Sequence, residues 1–383
     1  MKTPTARIYR QLMNIEEKLK RDRLQKHHYF LPASSFQLSL FSMQRNSFII
    51  PAFVLFIIGC HRPSPQKTLK SPFIHDAIIK ITPVKDQGNS PLCWAYAMLA
   101  TIESERLMMG DSIHLSADYI ARTTLSDQLH EAYFAQGKQP IALRGIPSMA
   151  LRAIERHGLL QYDSYHASQT NYNVVIRKAT QVLKGATSLR QVDRRVNDML
   201  DRELGSLPRK VFLLGAEYTP KEFAHSLYQP HEYLALTSFT HHPYGQQFVL
   251  EIPDNRLKDR FFNLQLDTLM HRAKRALRRG HPVCWEGDIT EPGYAFDSGV
   301  AKIPNEHTIV TPALRQQQFE MRKTTDDHCM ELIGLAHDQQ GTTYFIAKNS
   351  WGTRNPYGGL MYLSESYVRL KTIALYMIRE AYL

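Results

Sequence analysis

A cysteine becomes a nucleophile when its surroundings favour the thiolate, and the run Gln87-Gly88-Asn89-Ser90-Pro91-Leu92-Cys93-Trp94-Ala95-Tyr96 carries the parts. It joins an amide donor, a turn and a cysteine that opens an apolar stretch. Beyond Cys93, the residues Ala97, Met98, Leu99, Ala100 and Leu107 sit among good helix formers, with no Gly or Pro before Gly110. This predicts a helix with Cys93 in its first turn, where unpaired backbone N–H groups and the helix dipole favour an anion. Position lowers a thiol pKa only in part. An imidazolium is the usual complement, so the chain must also bring a histidine to Cys93.

Far downstream of Cys93, His328 opens a β-prone run that reaches His337, and a second such run covers residues 342–348. The intervening Asp338-Gln339-Gln340-Gly341 reads as a hairpin turn, which sets His328 beside Asn349 at the end of the partner strand. An Asn carbonyl that accepts from one ring nitrogen fixes the tautomer and turns the other nitrogen toward the thiol. Trp351, in Asn349-Ser350-Trp351-Gly352, is placed to shield that bond from water.

The glutamine six residues before Cys93, the histidine opening a strand and the Asn-Ser-Trp-Gly run together resemble the papain-like cysteine peptidases. That resemblance implies an α+β fold of two lobes, one helical and one β-rich, with the cleft between them. It implies Cys93 as nucleophile, His328 as general base and then acid, Asn349 as orienter, and Gln87 with the Cys93 N–H as the oxyanion hole. Leu115-Ser116-Ala117-Asp118-Tyr119 and the segment from Gly145-Ile146-Pro147 to His157-Gly158-Leu159 are weaker echoes of the helical half. No metal or organic cofactor is required.

The distance from Cys93 to His328 exceeds that of a minimal domain of this kind, so residues of roughly 166–280 read as an insertion. In this the chain resembles the bleomycin hydrolase and aminopeptidase C branch, whose members commonly trim single residues from peptide N-termini and are sometimes oligomers with their own C-terminal tail in the cleft. Peptides are then the expected substrates, and a homo-oligomer is open. By the same resemblance Asp288 and Glu291 are candidates for binding a substrate amino group, against the plainer reading of a loop salt bridge. Trp351 is a candidate wall of the site. Ser90 stands where many relatives carry a disulfide cysteine, and Leu92 is expected to narrow the cleft. An endopeptidase of this fold and a catalytically silent scaffold that binds peptides or a partner are the alternatives.

Residues 47–59 are almost all apolar, bounded by Arg45 and Cys60. Such a run is too short for a transmembrane helix, which needs about 20 apolar residues, but it has signal-peptide length. Ile57-Ile58-Gly59-Cys60 resembles a bacterial lipoprotein box, which implies a lipid on Cys60 and a membrane-anchored protein of the cell envelope, facing the periplasm or exterior. Without such a signal the chain would be cytoplasmic. Met43 reads as the start, so the expected organisation is a non-native extension over residues 1–42, the signal segment over 43–60, a tether over 61–77 and the peptidase domain over 78–383.

Composition fits a folded enzyme, with 43% hydrophobic and 22% charged residues. Residues 1–60 hold nine Lys or Arg against three Asp or Glu, so the net charge of +11 falls to +5 beyond them. Arg272, Lys274, Arg275, Arg278 and Arg279 alternate with Leu269, Met270, Ala273, Ala276 and Leu277 at helical spacing. They read as a solvated helix face and give no case for nucleic acid. Cys284 and Cys329 read as buried free thiols in strands, although a pair between them is open. Strand alternation should turn Cys329 away from the cleft that His328 faces. His241, His242 and His307 lie in polar loops and read as surface residues.

Overall fold

The apolar stretch after Gln87 folds as the helix Cys93–Met108, and Trp94, Ala95, Ala97, Met98, Leu99 and Ile102 along it are all buried. A helix buried on nearly every side belongs in the middle of a domain. It packs on the strands Val283–Gly287 and His328–His337 and on the helices Ala117–Phe134 and Pro147–His157. The computed structural model describes residues 72–167, 170–213 and 215–383. The expectations for residues 1–42, for the signal segment 43–60 with Cys60, and for most of the tether 61–77 lie outside the described residues.

Local sequence explains the helical half. Ser116 caps the helix Ala117–Phe134 by accepting from the Tyr119 N–H at 3.0 Å. The helix Pro147–His157 starts on a proline and stops at Gly158, whose φ of 91° and close approach to the Pro220 carbonyl admit only glycine. Asn171 and Ser188 cap the helices Tyr172–Val182 and Leu189–Leu204.

The β half is one sheet of eleven strands among the described residues. At its centre the strand His328–His337 lies antiparallel to Val283–Gly287 on one side and to Thr343–Lys348 on the other, the latter forming the expected hairpin. Leu360–Ser364, Val300–Ala301 and Tyr294–Ala295 continue the sheet on the hairpin side. Thr372–Ile378 continues it beyond Val283–Gly287.

Two boundaries differ from expectation. The end of the expected tether is a strand, Ile74–Ile78, paired with His328–His337. Gly334 permits the close approach, because a Cβ there would stand 2.3 Å from the Ala77 carbonyl oxygen. The segment 166–280 is also no appendage to the fold. Its strand Tyr233–Thr237 pairs with Thr372–Ile378, and Arg260–Asn263 and Gln247–Val249 carry the same sheet to its edge.

The basic run folds as the helix Leu266–Arg278, with Leu269, Met270, Ala273, Ala276 and Leu277 buried, as expected when the basic residues form a solvated face. The chain's last residues pack on it: Arg272 donates to the Tyr382 carbonyl at 2.6 Å, and its guanidinium lies over the Tyr382 ring. Among the described residues, no helix is long and apolar enough to cross a membrane.

A buried polar knot ties the Cys93 helix to the segment before it and to the sheet. Glu103, fully buried, accepts from Thr82 Oγ1, from Lys85 Nζ and from the Leu115 N–H, each at 2.5 Å. Lys348 Nζ donates to the same Thr82 hydroxyl at 2.9 Å and lies 3.4 Å from Glu331. Removing one partner strands the others away from water. Glu103→Ala is therefore expected to lower the unfolding free energy by about 3–5 kcal/mol, read from urea denaturation. A loss below about 1 kcal/mol, as for an exposed pair, would contradict this role.

Candidate active site

Cys93 is the first residue of its helix, and Leu92 before it provides no side-chain cap. The free N–H groups of that first turn therefore remain for a negative charge. His328, almost fully buried at the start of its strand, lines the same cleft as Cys93, and each shifts the other's pKa toward the charged form. Its Nε2 lies 2.8 Å from Asn349 Oδ1, which leaves Nδ1 as the nitrogen for the thiol. Asn349 is itself fixed, since its Oδ1 accepts from the Ser350 N–H at 2.8 Å and its Nδ2 donates to the Tyr294 hydroxyl at 3.1 Å. The Trp351 ring lies 4.8 Å from the His328 ring and covers this bond, as its position in the motif predicts.

Gln87 is held by the same motif. Its Oε1 accepts from Ser350 Oγ at 2.5 Å, and its backbone N–H donates to the Ser350 carbonyl at 2.7 Å. Its Nε2 donates one hydrogen to the Ser90 carbonyl at 2.8 Å, which leaves the second hydrogen for a ligand. Gln87, Cys93, His328 and Trp351 line one cleft of about 250 Å³. With Asn349 bonded to His328 behind it, the four residues named from the sequence for the chemistry are brought together.

No family model matches the sequence, and no curated protein matches it. Among solved structures the chain is similar to PepW from Lactobacillus rhamnosis HN001, at 17% identity and a TM-score of 0.62, over 80% of this chain and 82% of that one. It also matches the bromelain protease from Ananas comosus in complex with the E64 inhibitor, at 16% identity and a TM-score of 0.37, over 78% and 94% of the two chains. Digestive procathepsin L 3 of Tenebrio molitor matches at 15% identity and a TM-score of 0.37, over 81% and 71%.

The fold is papain-like.

On this papain-like frame several expectations change. Asp288 and Glu291 do not line the cleft. Asp288 is fully buried and accepts from the Thr290 and Thr325 N–H groups at 2.7 and 2.9 Å, with Lys371 Nζ 3.9 Å away, and Glu291 pairs with the same Lys371. The plainer salt-bridge reading of this pair describes what is there. Leu92 does not narrow the cleft, because its side chain is wholly buried in the core while Ser90 and Pro91 form the wall.

Four other acidic residues, Asp254, Glu286, Asp326 and Asp327, line the cleft from three separate segments. Burial raises the Asp326 pKa to about 6, with Asp254 adding to the effect. Burial also raises that of Asp254 and pushes that of Glu286 well above the carboxylate range. Glu286 accepts from the Tyr376 hydroxyl through Oε2 at 2.9 Å, while its buried Oε1 has no hydrogen-bond partner among the described residues. Asp326 lies two residues before His328 and was open to notice in the sequence. Asp254 carried no signal there.

Cys284 and Cys329 are free, buried thiols, as the sequence suggests. Cys329, however, does not turn away from the cleft. It lines it together with Cys93 and is the largest influence on that thiol's pKa. The Cys93 helix packs across the very strand that carries Cys329, so its first residue meets that side chain while His328 reaches Cys93 as well.

The thiol of Cys93 is held well below its ordinary pKa, first by the hydrogen bond from Cys329, against the opposing effect of burial, and then by the hydrogen bond and charge of His328. For His328 burial pulls downward, but the hydrogen bond and charge of Cys93 and the Asn349 contact raise its pKa overall. A lowered thiol and a raised imidazole together open a pH window for the thiolate–imidazolium pair. Cys329→Ala removes the leading contribution, so the acid limb of Cys93 alkylation should move to higher pH. The rate of iodoacetamide labelling against pH reads this directly, and an unmoved limb would count against the Cys329 contact.

Proposed function

We propose that this chain is a cysteine peptidase that removes residues from the N-termini of peptides. The observation that carries the reading is that Cys93 and His328 line one cleft with His328 hydrogen-bonded to Asn349 and the thiol pKa lowered. In the proposed reaction the Cys93 sulfur attacks the peptide carbonyl carbon, a C–S bond forms, and the π electrons move onto oxygen. That oxygen is stabilised by the Cys93 N–H and the second Gln87 Nε2 hydrogen. Collapse breaks the C–N bond as His328 gives its proton to the departing amine. Water, deprotonated by His328, then releases the acyl group and restores the thiol.

The aminopeptidase form of this reading is supported by the sequence resemblance to the aminopeptidase C branch and by the carboxylates of Asp254 and Asp326. They offer negative charge near Cys93 to a free α-ammonium. This reading assigns end-selection to the carboxylates. Anchoring by a lipid on Cys60 belongs to the same proposal, supported by the apolar run before it, and the mass of the natural N-terminal peptide tests it.

Incubation with a thiol-reactive epoxide should add one label to the protein, and Cys93→Ala should abolish it. An unlabelled wild-type protein would favour the silent scaffold. Rates on peptides with free and N-acetylated termini separate the two levels of the proposal: equal rates reject the aminopeptidase while leaving the peptidase. Gln87→Ala should lower kcat by about 10²–10³-fold, the usual effect of losing an oxyanion donor, with KM little changed.

A further inference from the structure

His241, His242 and Glu251 form a second chemical centre, on the sheet extension contributed by residues 166–280. His241 Nε2 lies 3.1 Å from one Glu251 carboxylate oxygen and His242 Nε2 lies 2.6 Å from the other. The three side chains present ligand atoms that all lie within 4.8 Å of one another. Two histidines adjacent in sequence rarely aim the same ring nitrogen at one carboxylate unless the backbone between them is held.

Here it is held at several points. Asn263 Nδ2 donates to the carbonyls of Phe239 and His242 at 2.8 and 2.9 Å, and its Oδ1 accepts from the Phe239 N–H. Gln316 Oε1 accepts from the Thr240 N–H at 2.7 Å. The rings are fixed as well: His242 stacks on Phe248 with centroids 4.1 Å apart. His241 Nδ1 lies against the Gln316 side-chain amide, 2.9 Å from Nε2 and 3.3 Å from Oε1. The nearer Gln316 Nε2 donates to Nδ1, which keeps the His241 proton on Nε2 toward Glu251; a metal on Nε2 requires that proton to move to Nδ1, where Gln316 Oε1 can accept it.

We propose that His241 Nε2, His242 Nε2 and a Glu251 carboxylate oxygen bind a divalent transition-metal ion, best met by Zn²⁺, with water in the fourth position. Two imidazoles and a carboxylate suit zinc, whose bonds of about 2.0–2.2 Å put tetrahedral ligand atoms about 3.4 Å apart. The spacings to the carboxylate fall below that value and the outer limit of 4.8 Å lies above it, while Glu251 is half exposed and free to adjust. The ion replaces the protons that otherwise join the rings to the carboxylate. It would bind both ends of the excursion that leaves Tyr233–Thr237 and returns after Gln247–Val249, the last strand of the sheet.

The test uses the full chain with Cys93→Ala, so that the thiol and His328 cannot take the ion together. Titration with Zn²⁺ by calorimetry should show one equivalent bound, and Co²⁺ should give the visible absorption of a tetrahedral site. The melting temperature should climb with each increase in free Zn²⁺, as binding to the folded state requires. His242→Ala and, independently, Glu251→Gln should abolish both signals. His307→Ala, at a histidine outside the cluster, should leave binding intact. Absence of saturable binding would overturn the site, as would equal binding by folded His242→Ala and Glu251→Gln proteins, which would mark the ion as adventitious.

Discussion

A thiolate and an imidazolium in a water-poor cleft stabilise each other, and the rest of this molecule serves to keep them in register. Desolvation alone would neutralise both, raising the thiol pKa and lowering that of the ring. The directions at Cys93 and His328 are the reverse, because the two charges meet and because the Cys329 thiol and the Asn349 carbonyl add contacts to one or the other. Such pairing is short-ranged. A displacement of the helix along the strand by one residue would separate the charges and leave each with only its burial.

That register is fixed by polar contacts on both sides of the cleft. Glu103, further along the Cys93 helix, is joined through Lys85 and Thr82 to Lys348, the residue before Asn349. Lys85 and Asp86 also meet the far end of the Asn349–Gly352 run, where the Gly352 N–H donates to the Lys85 carbonyl and Asp86 bridges Trp351. One short segment, residues 82–87, therefore touches the Cys93 helix and the Asn349 strand and carries Gln87 itself. Position of the helix and position of Gln87 are not independent variables.

Residues whose role depends on their own neighbours in sequence were legible. Cys93 follows a turn and starts an uninterrupted apolar run, and His328 and Asn349 terminate two strands of one tight hairpin, so their meeting follows from local rules. Residues whose role depends on a crossing of distant elements were not. Strand alternation was expected to turn Cys329 away from the cleft that His328 faces, but it says nothing of where a helix from the other end of the domain lies across the sheet, and both residues line the cleft. Asp288 and Glu291 have the right types for amine binding, yet Lys371, far along the chain, folds back to claim both. Length likewise exposed the extra segment 166–280 but not its fate, because Tyr233–Thr237 pairs with a strand from the C-terminal end of the chain, Thr372–Ile378.

That fate bears on the cleft. An appended subdomain could change without disturbing the site, whereas this one shares a sheet with it: Tyr233–Thr237 pairs with Thr372–Ile378, which pairs with Val283–Gly287, which pairs with the His328 strand. Asp254, supplied by the same segment, accepts from Arg144 at 3.0 Å and through its N–H donates to Asp326 at 3.2 Å, so one residue touches both sides of the cleft. Residues 166–280 thus set the charge of the cleft directly through Asp254 and reach its geometry through three consecutive ladders of backbone hydrogen bonds. The extension is structurally part of the site that the Cys93–His328 pair defines.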